Sequence, residues 1–116
     1  MVASAIIEGR PVPVSKLEKD IERKLRRAVE RLGGKCLKWV CPGWSGVPDR
    51  LILLPGGRIC FVELKRPSGG VVAPLQSKWR EWLENLGFTV WVVRDEADLE
   101  FVLLLIQKYT DERGML

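Results

Sequence analysis

Histidine is absent from this chain of 116 residues. That removes a histidine general base, a Ser-His-Asp triad and the usual zinc ligand sets, so any metal must be held by oxygen. Cysteine is scarce: Cys36, Cys41 and Cys60 are odd in number, include no Cys-x-x-Cys pair and fall in or beside expected strands. They read as small buried thiols in a reducing cytosol rather than as a disulfide framework. Long apolar runs are missing, since Phe101 to Ile106 is far too short to span a bilayer. Ala3-Ser4-Ala5-Ile6-Ile7 lacks the basic start and long apolar centre of a signal peptide. No repeat and no low-complexity stretch is found. The expectation is a soluble protein of the cytoplasm, with no zinc and no membrane contact.

What is present argues for one folded domain. Hydrophobic residues make up 47% of the chain and tryptophan occurs five times, which argues against disorder. At this length the chain can bury a real core but not two. Nineteen basic against 15 acidic residues give a net charge of +4. That is compatible with a polyanionic partner without demanding one.

Residues 1–14 have no clear period and carry Pro11 and Pro13, so they read as a loose arm that packs at an edge or reaches a partner. Ile7-Glu8-Gly9-Arg10 also spells a common engineered protease site. The domain proper is expected over 15–109. Ser15 and Glu18 form a capping-box signature, followed by an apolar face of Leu17, Ile21, Leu25, Ala28, Val29 and Leu32 and a stop at Gly33-Gly34. On a wheel turning about 100° per residue, Glu22 falls about 20° beyond Val29, at the border of that face. It is either a solvated flank or a ligand leaning toward the sheet.

Cys36 to Val40 reads as a strand and Pro42-Gly43-Trp44-Ser45-Gly46 as a glycine-rich loop. Leu51 to Leu54 and Arg58 to Val62 are apolar runs joined by Pro55-Gly56-Gly57, a hairpin with a three-residue loop. Beyond it, Pro74 opens a helix with a core face of Leu75, Trp79, Trp82, Leu83 and Leu86, stopped by Gly87. Phe88 to Val93 is a buried strand, and Asp95 caps a last helix carrying Leu99, Val102, Leu103 and Ile106. The tail, 110–116, is expected to fray. The order αβββαβα predicts an α/β fold with a mixed central sheet flanked by helices, its last strand reached by a crossover.

The hairpin register carries the chemistry. With Leu54 opposite Arg58, Asp49 falls opposite Glu63, where the Cβ atoms of paired residues are about 5 Å apart. Lys65 shares their face, because alternate strand residues do. Adjacent carboxylates repel, and a hard divalent cation such as magnesium or manganese removes that penalty while binding phosphate oxygens. The lysine could then orient or help deprotonate a water. Singly, Pro48-Asp49 is an ordinary turn dipeptide and Glu63-x-Lys65 an ordinary strand face. A second acid-x-lysine triplet, Glu22-Arg23-Lys24, lies in a helix and cannot form such a cluster. The conjunction is what signals a site. Ser45 and Gly46 beside it leave room for a backbone phosphate.

From Glu18 to about Leu104 the chain resembles the VRR-NUC branch of the PD-(D/E)XK nuclease superfamily, in its compact stand-alone virus and phage type. The resemblance rests on Ile21-Glu22, Leu32-Gly33-Gly34, Lys38-Trp39, Gly46-Val47-Pro48-Asp49-Arg50-Leu51, Val62-Glu63-Leu64-Lys65, Gln76 and Leu86-Gly87. It implies the restriction-endonuclease-like core and a metal-dependent endonuclease acting on branched DNA, with stand-alone members working as homodimers on four-way junctions. It further implies that Asp49, Glu63 and the main-chain carbonyl of Leu64 bind magnesium or manganese, with Glu22 completing the cluster through water or a second metal. Lys65 would position the attacking water, and Gln76 would support the lysine or the phosphate. Glu18 is the weaker occupant of the helix role, because the capping box already explains it.

Lys38, Ser45, Gly46, Arg50 and Arg66 are the candidates to touch DNA. Trp44 and the apolar side of the last helix are candidates for a dimer surface, core packing being the other reading of both. The competing functions are a flap or fork nuclease, a DNA-binding module without turnover, and a restriction-type enzyme. The converging acids count against the second, since they would repel DNA when metal-free. The lack of room for a recognition domain counts against the third.

Overall fold

The alternation of side chains along Arg50–Leu54 and Arg58–Leu64 gives each strand one aliphatic and one mixed face, and the rest of the chain packs to suit both. The computed structural model describes residues 4–7, 10–65 and 74–114, with side chains over 19–65 and 77–111. The elements are β1 (Ser4–Ile7), β2 (Arg10–Pro13), α1 (Val14–Arg31), β3 (Lys35–Lys38), β4 (Arg50–Leu54), β5 (Arg58–Leu64), α2 (Pro74–Asn85), β6 (Thr89–Val93) and α3 (Glu96–Gly114). After the first two strands, the order is the expected αβββαβα.

The central sheet runs β3-β4-β5-β6, antiparallel through β5 and parallel between β5 and β6. A parallel neighbour requires a crossover, and α2 occupies it. Leu54 pairs with Arg58 across Pro55-Gly56-Gly57, the register expected from the sequence. One face packs Ile52, Leu54, Cys60, Val62 and Val93 against Ile21, Leu25 and Val29 of α1 and Leu99, Val102 and Ile106 of α3. Each fully buried aliphatic side chain there contributes about 1.5–3 kcal/mol relative to exposure. The other face packs Phe61 and Val90 against Leu83 of α2, with Trp39, Leu51, Trp79 and Phe88 around them.

Helix ends follow sequence signals. Gly34 N–H returns to Val29 O (3.0 Å) and Gly33 N–H to Glu30 O (2.9 Å), with Gly33 at φ 88°, a Schellman end for α1. A Cβ on Gly34 would stand 2.3 Å from the Leu53 carbonyl oxygen, so α1 reaches the sheet only because this residue has none. Asp95 caps α3 by accepting the Asp98 N–H at 2.8 Å.

Four expectations are corrected. The arm is not loose throughout: β1 and β2 pair antiparallel, Ser4 with Pro13 through Ile7 with Arg10, as a separate two-stranded sheet. Its two prolines obscured the strand signal. Helix α1 begins at Val14, so Ser15 lies inside its first turn rather than before it. Trp82 and Leu86 are exposed rather than core, because α2 is short and only the line through Leu83 and Trp79 meets the sheet. The tail continues as helix to Gly114, held where buried Thr110 donates its hydroxyl to Ile106 O at 2.9 Å. Cys36 and Cys60 are buried free thiols, as expected, and Cys41 is partly buried. Among the described residues no helix is long and apolar enough to cross a membrane.

Candidate active site

Asp49 stands immediately before β4, after a fully buried Pro48. Gly46, at φ 85°, supplies the left-handed turn by which the preceding loop enters Val47-Pro48-Asp49. The Asp49 carbonyl accepts the Trp39 N–H at 2.9 Å and the Arg50 guanidinium at 3.0 Å. Its carboxylate Oδ2 accepts the Leu64 N–H at 2.8 Å. The aspartate side chain thus takes over the pairing with β5 at the point where the ladder of β4 begins, and its position is fixed by three bonds.

Glu63 lies on β5, one position past the Arg50–Val62 pair and therefore opposite Asp49. Central placement between β4 and β6 leaves it 1% exposed. Its Oε1 has no hydrogen-bond partner among the described residues. Burial raises its pKa above the ordinary carboxylate value; Lys65 opposes that rise, Asp49 adds to it and Arg80 opposes it. A buried carboxylate in this condition is costly. Lys65 follows on the same face, its N–H bonded to Val93 O at 2.8 Å. Asp49, Glu63 and Lys65 are therefore brought together, as the register argument requires.

The donor chemistry suits a hard cation: two neighbouring carboxylates, one with an unsatisfied buried oxygen, and no imidazole. Soft ligation is disfavoured, because burial above all pushes the Cys36 and Cys60 thiols up to about 11 and about 12. Among the described residues no three Asp, Glu, Cys or His side chains form one metal-binding group.

Glu22 does not join the pair. It lies beside Ile21 and Leu25 on the helix covering the aliphatic face, with Arg50 Nε at 3.7 Å and Arg26 Nε at 3.8 Å. Arg50 in turn holds the Asp49 carbonyl, so Glu22 reaches the site through an arginine. Lys38 pairs with Arg50 across β3 and β4 and is exposed. Ser45 is exposed and Gly46 partly buried in the loop before Asp49. Gln76 occupies the third position of α2, with its side chain outside the described residues, and Arg66 lies wholly outside them.

Two features escaped the sequence reading. Arg80 acts electrostatically on Glu63 from α2. It falls one helical turn after Gln76, a spacing that would have flagged it. The second is a tryptophan cluster beside the acids, joining Trp39, Trp44, Trp79 and Trp82. No periodicity announces it, because the rings come from a strand end, a loop and a helix.

No family model matches the chain. The p44 protein of Acyrthosiphon pisum secondary endosymbiont phage 1, whose name proposes a nuclease, is 44% identical over 86 residues, covering 74% of this chain and 90% of that protein. A solved structure described as a VRR_NUC domain superposes with a TM-score of 0.69 at 31% identity, over 74% of this chain and 92% of its own.

Proposed function

The chain belongs to the VRR-NUC nuclease family, and on that premise we propose that it is a divalent-metal-dependent endonuclease of branched DNA. The observation that carries the reading is buried Glu63, with a carboxylate oxygen that no described residue satisfies, opposite an Asp49 fixed by three hydrogen bonds. Asp49, Glu63 and the Leu64 carbonyl would hold magnesium or manganese, which supplies Lewis-acid activation of the phosphodiester and of water when bound.

The chain's own residues do the rest. Lys65 orients the attacking water and meets charge developing on the phosphate. Arg80 offers a second cation from α2, and Gln76, one turn before it, supports the lysine or the phosphate. Glu22 acts through Arg50, whose guanidinium holds the Asp49 backbone. Ser45, Gly46, Lys38 and Arg66 are candidates for contacts along the DNA backbone, in keeping with the net charge of +4.

The preferred substrate is a four-way junction cut by a homodimer, because a chain with one site meets a two-fold junction as a symmetric pair. Exposed Phe101 and Leu104 on α3 offer that dimer an apolar surface. Its setting is the cytoplasm of a phage-bearing cell.

The test is a labelled panel of linear duplex, single strand, flap, fork and four-way junction with magnesium or manganese, and Asp49→Asn as control. Paired symmetric cuts confined to the junction support the dimeric reading. Cuts on flaps or forks replace it with the repair-type nuclease. No metal-dependent product on any member leaves a DNA-binding module on a nuclease fold.

A further inference from the structure

Four of the five tryptophans form one connected set next to the acids. Trp79 is the hub: its ring lies edge-to-face against Trp39 (6.0 Å, 82°), Trp44 (5.8 Å, 89°) and Trp82 (5.4 Å, 80°). Trp39 packs inward on Phe61 at 4.9 Å. The outer two do not: Trp44 is 60% and Trp82 41% exposed. In an edge-to-face pair one ring presents its edge and the other a single face, so each ring keeps at least one flat face outside the contact. Among the described residues the buried indole N–H of Trp79, at the centre of the set, also finds no partner, which is rare in folded proteins.

The position identifies the occupant. Trp44 lies in the loop that delivers Asp49, Trp39 donates its N–H to the Asp49 carbonyl, and Trp79 adjoins Arg80, which acts on Glu63. A phosphate bound at the acids would therefore have its neighbouring nucleotides on the side of the site where Trp44 lies. Nucleobases stack on restrained exposed aromatics whatever their sequence, but only when they are not already stacked inside a duplex.

We propose that Trp44, braced by Trp79, forms a stacking platform for an unpaired base beside the scissile phosphate, with Trp82 at its outer edge. The platform takes a base that comes unstacked at the branch point, of a four-way junction as of a flap. The proposal rests on the nuclease reading above for the identity of its ligand.

The experiment measures binding of labelled oligonucleotides in the Asp49→Asn background, which removes turnover as a readout. Three ligands are compared: a thymine flap, the same flap with abasic residues, and a linear duplex. Trp44→Ala is expected to weaken the thymine flap about 10-fold and leave the other two unchanged, with Trp82→Ala smaller and Trp44→Phe restoring part of the loss. Equal losses on all three ligands, or none on the flap, overturn the platform. So does a shift of Trp44→Ala from dimer to monomer with flap binding intact, which would assign the rings to contact between copies. If the wild type cuts nothing but base-dependent binding persists, the nuclease reading fails and the platform stands. If the wild type cuts and Trp44→Ala binds normally, the platform alone fails.

Discussion

The two faces of the central sheet are built from the same strands and obey opposite rules. On β5, Cys60 and Val62 enter an aliphatic layer between α1 and α3, whereas Phe61 and Glu63 enter an aromatic and charged layer under α2. The first layer places apolar groups among apolar groups. The second buries a carboxylate whose oxygen lacks a partner among the described residues, beside another carboxylate. A stable sheet does not require that arrangement, whereas the cation and phosphate proposed for this site would account for it.

The sharpest way to break this contrast is to remove the chemistry without touching the packing. Lys65→Ala should lower cleavage by about 100-fold or more while leaving DNA binding largely intact. Undiminished turnover in a single-turnover assay would remove Lys65 from the mechanism. The converse substitution lies one strand position from Glu63: Val62→Ala should cost about 2 kcal/mol of stability with little change in turnover at temperatures where the variant is folded. A large loss of turnover without a loss of denaturation midpoint would mean that the faces are not separable.

A third test uses the sign of the Glu63 perturbation. Burial raises its folded pKa above the unfolded value, and Asp49 adds to this against Lys65 and Arg80. The stability conferred by the protonated form is therefore fully present below the ordinary carboxylate pKa and lost as pH rises through the folded pKa. Without metal, Glu63→Gln should be more stable than the wild type at neutral pH by about 1 kcal/mol, and the difference should shrink toward acidic pH. Manganese should raise the melting temperature of the wild type and not of the variant. A variant less stable at neutral pH would show that Glu63 is satisfied in the fold. The smallest effect is expected for Glu22→Gln, a few-fold slower cleavage through a loosened Arg50, or a shifted manganese dependence. An unchanged rate and manganese titration would make Glu22 a surface residue.

What was legible in the sequence is what depends on neighbours along the chain. Placing Leu54 opposite Arg58 was sufficient to bring Asp49 to Glu63, because a short loop fixes hairpin register. The caps at Gly33 and Asp95 are likewise local. Glu22 shows the limit: its wheel angle placed it at a border, but which sheet face α1 covers is decided by packing with α3. Trp82 has the spacing of a core residue and is left outside because α2 contacts the sheet along a narrow line. Arg80 and the tryptophan cluster arise where separate segments meet, and no single period encodes that.

The mixed sheet has a consequence for how the molecule is made. Strands β3, β4 and β5 are successive antiparallel neighbours, whereas β6 joins β5 only after the chain has run through α2. Sequence-local pairings form ahead of distant ones because they close shorter loops. On that order Asp49 and Glu63 would face each other early in folding, still open to water, and Arg80 and the β6 backbone that anchors Lys65 would arrive late. The step that completes the sheet would then be the one that buries the two carboxylates together, and divalent ions in the refolding buffer should speed it.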